Sequence, residues 1–76
     1  MRSFTDADGR RWQAALLDAS YGEVLLVFSP AQGAGNRASP LAAGNLAEAM
    51  GEFAALDEAG LQRLLGQSEP YDPAAG

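Results

Sequence analysis

The chain contains no cysteine, no histidine and, because all five basic residues are arginines, no lysine. These absences exclude disulfide scaffolds, metal sites with thiolate or imidazole ligands, Cys–His and Ser–His–Asp catalytic groups, and Schiff-base chemistry. Long apolar runs are also missing. The longest run of large apolar residues is 24–28, far short of the ~20 residues of a membrane span. We expect no metal, no cofactor and no membrane insertion.

The 76 residues are 47% hydrophobic and 20% charged, with a net charge of −5. This is the composition of one small folded domain. Sixteen alanines, nine glycines and arginine without lysine are typical of a GC-rich bacterial genome. No hydrophobic segment follows Arg2, so we expect no signal peptide and a cytoplasmic location.

The first third of the chain predicts three strands. Residues 3–6 form a short strand, and Asp-Ala-Asp-Gly at 6–9 predicts a turn. Apolar and polar side chains then alternate over 10–16, with Trp12 on the apolar side. Residues 24–28 are apolar on both faces and predict the best-buried strand. The residues at 6–9 do not predict a calcium loop, because an EF-hand needs oxygen ligands where Phe4 and Ala15 stand.

The second half predicts a loop and two helices. Residues 29–40 are rich in Gly, Pro and Ser and predict a loop. The first helix begins either at Asn45, which forms a capping-box pattern with Glu48, or near Pro40. Its apolar stripe is Leu46, Met50 and Phe53. Asp57 predicts the cap of a second helix, in which Leu61, Leu64 and Leu65 are buried and Gly66 is the C′ residue.

The predicted fold is α+β: a three-stranded antiparallel meander followed by two antiparallel helices packed on one face. Residues 1–67 form this domain, and 68–76 form a flexible tail in which Tyr71 could dock on the core. Two short helices cover only one face of a sheet, so Leu17, Leu25 and Val27 are left as an apolar patch. The alternative is that residues 29–40 or Tyr71 fold over these three side chains.

This patch predicts a non-catalytic protein-interaction module, with a homodimer through the uncovered sheet face as one form of it. Residues 39–76 carry all of the excess charge, net −5. The exposed acids Glu48, Glu52 and Glu58 are therefore either a solvated helix surface or a docking face for a basic partner. No carboxylate has the enclosed pocket that acid–base catalysis requires, so we expect no enzyme activity.

Two further patterns give alternative functions. Phe4, Arg10, Arg11 and Trp12 could bind a single-stranded nucleic acid, although residues 1–38 have no net charge and the alternation favours a core position for Trp12. Gly33, Gly35, Asn36 and Arg37 could form a loop that contacts an anion or a partner. The alternative for this segment is a plain loop, because no phosphate-binding motif follows it.

Overall fold

A computed structural model describes residues 2–18, 23–33 and 35–71. Their elements are, in order, β1 (Arg2–Thr5), β2 (Arg11–Asp18), β3 (Val24–Pro30), β4 (Arg37–Leu41), α1 (Leu46–Ala55), α2 (Glu58–Gln67) and β5 (Glu69–Pro70). The strands form one antiparallel sheet in the order β1-β2-β3-β4-β5. The α+β class and the antiparallel meander are confirmed. The number of strands was wrong, because the sheet has five strands rather than three.

The fourth strand lies in the segment predicted as a loop. β4 pairs with β3 from Arg37 opposite Phe28 to Leu41 opposite Val24, and the loop is confined to the residues between β3 and β4. Pro40 lacks a backbone N–H and is unfavourable in a central strand. It is tolerated here because β5 pairs only with the first two residues of β4, which leaves Pro40 at the sheet edge.

The segment predicted as a tail is partly ordered by the same edge. The Ser68 hydroxyl donates to the Leu65 carbonyl at 2.5 Å and ends α2. The next two residues form β5, and the Tyr71 N–H donates to the Asn36 carbonyl at 2.9 Å. Residues 72–76 of the predicted tail lie outside the described part of the chain.

The turn between β1 and β2 is confirmed. One carboxylate oxygen of Asp6 accepts from the backbone N–H groups of Asp8 at 2.9 Å and Arg10 at 2.8 Å. The Gly9 N–H donates to the Asp6 carbonyl, and Gly9 has a φ of 86°, which glycine adopts without a steric penalty. Asp6 is therefore the residue that holds this hairpin turn together.

Both helices begin directly after the N-cap residues that the sequence predicts, Asn45 and Asp57. The Asn45 side chain accepts from the Glu48 N–H at 2.9 Å, and that of Asp57 from the Gly60 N–H at 2.8 Å. This confirms the start at Asn45 rather than near Pro40. The predicted end of α2 was wrong: Gly66 lies inside the helix, which continues to Gln67. The helix stops where Ser68 adopts an extended backbone.

The core lies between the helices and one face of the sheet. Its buried hydrophobic residues are Phe4, Trp12, Ala14, Val24, Leu26, Phe28, Ala49, Phe53, Leu61 and Leu65. α1 lies against β2, and α2 crosses from β1 to β4. Of the stripe predicted for α1, only Phe53 is buried, while Leu46 and Met50 are exposed. The sheet beneath α1 is narrow there, because β1 pairs only with residues 11–14 of β2.

Candidate interaction surface

One face of the sheet has no described helix against it, and we call it the open face. Successive side chains of a strand point to opposite sides. Because the residues at even positions of β2 and β3 point into the core, those at odd positions form the open face. Direct cross-strand partners share a face, which sets up two apolar rows. These rows are Ala15–Val27–Ala38 and Leu17–Leu25–Pro40.

The three residues predicted as an apolar patch all lie in these rows. Leu17 stands directly opposite Leu25, and Val27 is in the neighbouring row. Leu17 is 36% exposed, whereas Leu25 and Val27 are half-buried between their neighbours. The structure therefore brings Leu17, Leu25 and Val27 together on one surface.

Sequence reasoning missed the β4 members of the rows, Ala38 and Pro40. Both lie in the Gly-, Pro- and Ser-rich segment, whose composition is typical of a loop. The alternation of apolar and polar residues that marks a strand is weak at 37–41, where the sequence is Arg-Ala-Ser-Pro-Leu. In the structure, the buried Ser39 and the half-buried Leu41 lie on the core side. With β4 in place, the open face is one strand wider than predicted.

Neither described helix lies over the open face. Residues 37–41 join the sheet in its own plane instead of folding over it. Tyr71 is bonded through its backbone to Asn36 at the sheet edge. The Cα atoms extend only 19 Å along the shortest principal axis, which fits one sheet with one helical layer.

Charged residues are distributed unevenly between the two layers. Within β2, β3 and β4 the two apolar rows contain none, and β2 has its first charged open-face side chain at Arg11, at the far end of the strand. At the β5 edge, the exposed Glu69 is the cross-strand partner of Ala38, so a carboxylate ends one of the two rows. The predicted acidic docking residues Glu48, Glu52 and Glu58 are all exposed on the helices. These three acids and the apolar rows of the open face therefore belong to opposite layers of the molecule.

The predicted nucleic-acid face is not assembled as a stacking platform. Phe4 is 4% exposed and Trp12 is 5% exposed. The Phe4 ring packs edge-on against Phe28 with 5.8 Å between centroids, and Trp12 Nε1 donates to Asp6 Oδ2 at 2.8 Å. Bases stack on exposed aromatic faces, and these two rings are buried in the core. Of the four predicted residues, only Arg10 and Arg11 are exposed.

The bond from Trp12 also affects the titration of Asp6. Donation from the indole N–H is the largest cause that lowers the pKa of Asp6, and the backbone N–H groups of Arg10 and Asp8 lower it further. Desolvation raises this pKa but does not outweigh the donors. Hydrogen bonds to a carboxylate favour its charged form, so the donors of the hairpin turn stabilise the ionised form of Asp6.

The cation of the predicted anion loop, Arg37, is bound to the helical layer instead. Gly33 and Gly35 have φ values of 87° and 112°, and Asn36 lies beside β5. Arg37, however, belongs to β4 and points to the helix side. Its Nε donates to Ser68 Oγ at 2.9 Å and its Nη2 to the Ser68 carbonyl at 2.6 Å. The loop therefore presents no charged side chain of its own.

Arg2 binds the C-terminal end of α1, as Arg37 binds that of α2. Its Nη1 donates to the Phe53 carbonyl at 2.7 Å, and its guanidinium lies 5.5 Å from the centre of the Phe53 ring. Neither helix has a basic residue in its last turn. Arginines from the strands supply the positive charge that a helix C-terminus favours. Sequence reasoning missed this role because it depends on long-range contacts.

A second apolar surface lies beside α1. Leu16, Leu46, Met50, Phe53 and Ala54 line a shallow groove of ≈ 390 Å³ with Arg2 at its border. It contains Met50, which at 57% is more exposed than Leu17 or Leu46. The groove lies on the helical layer, so it is separate from the open face.

The described residues contain no group of three or more acidic side chains placed to hold a metal ion. Neither described helix has the length and apolar character that crossing a membrane requires. Comparisons with protein-family models, with curated proteins and with solved structures find no match to this chain. Of the exposed large apolar residues in the described part of the chain, Leu17 lies on the open face, and Leu46 and Met50 lie in the groove beside α1.

Proposed function

We propose that this protein is a non-catalytic interaction module that binds a second copy of itself through the open face. The observation that supports the proposal is the pair of apolar rows around Leu25 and Val27, which lie on the sheet face opposite the two described helices. Contiguous exposed apolar patches are typical of interaction sites.

Charge favours a second copy over a basic partner at this surface. Each chain carries a net charge of −5, so two copies repel each other unless their acidic surfaces are kept apart. Contact through the open faces places both helical layers on the outside. With a Debye length of about 10 Å at 0.1 M salt, repulsion between the outer layers is then largely screened. A basic partner would be attracted to the helices instead.

Shape also allows two open faces to pack together. Stacked sheets lie about 10 Å apart with interdigitated side chains. Ala15 and Ala38 are small and flank Val27, so they leave space for a leucine of the partner. A twofold axis would place the same patch on both sides of the contact. Four strands of this length offer roughly 400 Å² of sheet, about half of a standard interface per partner, so the dimer is expected to be weak.

The experiment that tests the proposal is a dilution series followed by methyl NMR shifts, from about 1 mM down to about 20 µM. The methyl groups of Leu17, Leu25 and Val27 should shift with concentration along one two-state curve. The methyl groups of Leu46 and Met50 should stay constant, because they belong to the groove on the other layer. Shifts confined to Leu46 and Met50 would contradict the proposal, and so would constant shifts everywhere.

A further inference from the structure

A polar cleft lies at the end of the sheet where the β1–β2 turn meets the end of β3. Its lining residues are Gly9, Arg10, Arg11, Ala31 and Gln32, and its volume is ≈ 340 Å³. The Ala31 N–H donates to the Arg11 carbonyl at 3.0 Å, which fixes the two walls relative to each other. Arg11 and Leu17 are six residues apart on β2, about 20 Å. The cleft is therefore separate from the apolar rows.

Two of the five arginines line this cleft, and neither is among those that bind the end of a helix. Arg2 and Arg37 are bound to helix-terminal carbonyls, and Arg63 lies on the exposed side of α2. Arg10 and Arg11 remain, and both line the cleft. The Asp6 carboxylate is close enough to Arg10 for the positive charge to lower the pKa of Asp6, but its hydrogen bonds go to Trp12 and to two backbone N–H groups.

We propose that this cleft binds the phosphate group of a small phosphorylated molecule. Arg11 begins β2 on the open face, while Arg10 lies over the Trp12 ring on the helix side, so the two arginines flank the cleft from both sides of the sheet. Their two positive charges match a phosphate dianion, and the planar guanidinium groups match its oxygens. Gln32 adds a neutral amide donor. The volume is at the lower end of ligand pockets, which leaves space for a small organic group.

Tryptophan fluorescence can report on binding at this cleft, because Arg10 contacts Trp12. The Arg10 guanidinium lies 5.2 Å from the centre of the Trp12 ring, and Trp12 is the single tryptophan of the chain. A phosphate that draws Arg10 toward the cleft must weaken this cation–π contact. Tryptophan emission should therefore change on binding even though the ring itself is buried.

The test is a titration of the full chain with inorganic phosphate and, separately, with glycerol phosphate. Sodium chloride keeps the ionic strength constant, and both Trp12 emission and backbone amide shifts are followed. We expect saturation on the order of millimolar, with the amide shifts concentrated at residues 9–11 and 31–32. A tighter response to glycerol phosphate would identify a phosphomonoester as the ligand class, and an equal response would identify the bare phosphate group. Acetate should saturate at least several-fold more weakly.

Matched variants distinguish a site from a general effect of charge. Arg10→Gln and Arg11→Gln should each raise the half-saturation concentration about tenfold or abolish saturation. Arg63→Gln removes the same charge from α2 and should leave the titration unchanged. A wild-type titration with no saturation beyond the chloride control overturns the proposal. Equal binding of acetate, or equal loss in all three variants, also overturns it.

Discussion

At the residue scale, the arginines determine how the helices are held on the sheet. The last carbonyls of a helix have no partner within it. Arg2 donates to the Phe53 carbonyl of α1, and Arg37 donates to the Ser68 carbonyl at the end of α2. Each contact joins positions far apart in sequence, so the arginines tie the strands to the helical layer. In this acidic chain, two of the five cations serve the fold.

Replacing Arg37 with glutamine should destabilise the protein by about 1–2 kcal/mol, because charge-assisted hydrogen bonds at a half-buried site are lost. The measurement is urea unfolding followed by far-UV circular dichroism. Arg63→Gln is the control, since it removes the same charge from an exposed position and should change the free energy of unfolding by less than about 0.5 kcal/mol. Equal losses in both variants would show that net charge, not the Ser68 contact, is responsible.

The second prediction at this scale concerns Asp6 and acid. Its pKa is lowered in the folded state, first by the bond from Trp12. The stability it contributes is therefore present above its unfolded pKa, near 4, and is lost as pH falls through the lower folded value. Asp6→Asn should lose less of its unfolding free energy between about pH 4 and pH 2 than the wild type loses.

The control for this prediction is Asp8→Asn in the same turn. The Asp8 side chain forms no hydrogen bond with a described residue, so this variant should keep the wild-type pH dependence. Unfolding free energies measured at several pH values on all three proteins make the comparison. If Asp6→Asn and the wild type lose the same unfolding free energy between about pH 4 and pH 2, the role assigned to the Trp12 bond is contradicted.

At the scale of elements, α2 contains two glycines in different surroundings. A Cβ placed at Gly60 would lie 2.9 Å from Leu56 Cδ2 and 3.2 Å from the capping oxygen of Asp57, whereas one at Gly66 would meet nothing within 4 Å. Gly66→Ala should stabilise the protein by about 0.5–1 kcal/mol through helix propensity. Gly60→Ala should gain less or lose stability, because it crowds the cap. Thermal unfolding of the two variants measures the difference, and a larger gain at Gly60 would contradict it.

The elements that sequence reasoning predicted correctly are those with local signals. The turn at Asp6 to Gly9, the caps Asn45 and Asp57, and the alternation around Trp12 all depend on residues within a few positions of each other. β4 has no such signal, because its pairing with β3 is long-range and its composition is that of a loop. The end of α2 failed for a related reason: Gly66 is a frequent C′ residue, but Arg37 of a distant strand stabilises the end one turn later.

The candidate surface was predicted in part for the same reasons. Leu17, Leu25 and Val27 were predicted because side chains alternate between the two faces of a strand and because two short helices cover only one face of the sheet. Ala38 and Pro40 depended on β4 and were missed. The alternative interpretation of Phe4 and Trp12 as a nucleic-acid face gains no support, because both rings are buried in the core, which is the position that the alternation favours for Trp12. The cleft at Arg10 and Arg11 depends on where residues 31–32 return, which the sequence pattern does not reveal.

At the scale of the whole molecule, the central feature is the difference between its helical layer and its open face. The helical layer carries the exposed acids Glu48, Glu52 and Glu58, and the open face carries two apolar rows with Glu69 at the β5 edge. The apolar centre of this face favours contact with another apolar face, which leaves the acidic helical layers in water. Self-association through this face is therefore the central claim, and it requires that apolar side chains on the other layer have no part in the contact.

The most direct test is solution molar mass by light scattering behind size exclusion, across loading concentrations from about 20 µM to about 1 mM. The wild type should rise from the mass of one chain, 7.9 kDa, toward twice that value. Leu17→Asp should remain a monomer, because dimerisation would bury an unpaired carboxylate. Met50→Asp, which changes an exposed apolar residue on the helical layer, should dimerise like the wild type. A wild type that stays monomeric at the highest concentration, or a dimer lost only in Met50→Asp, would contradict the account.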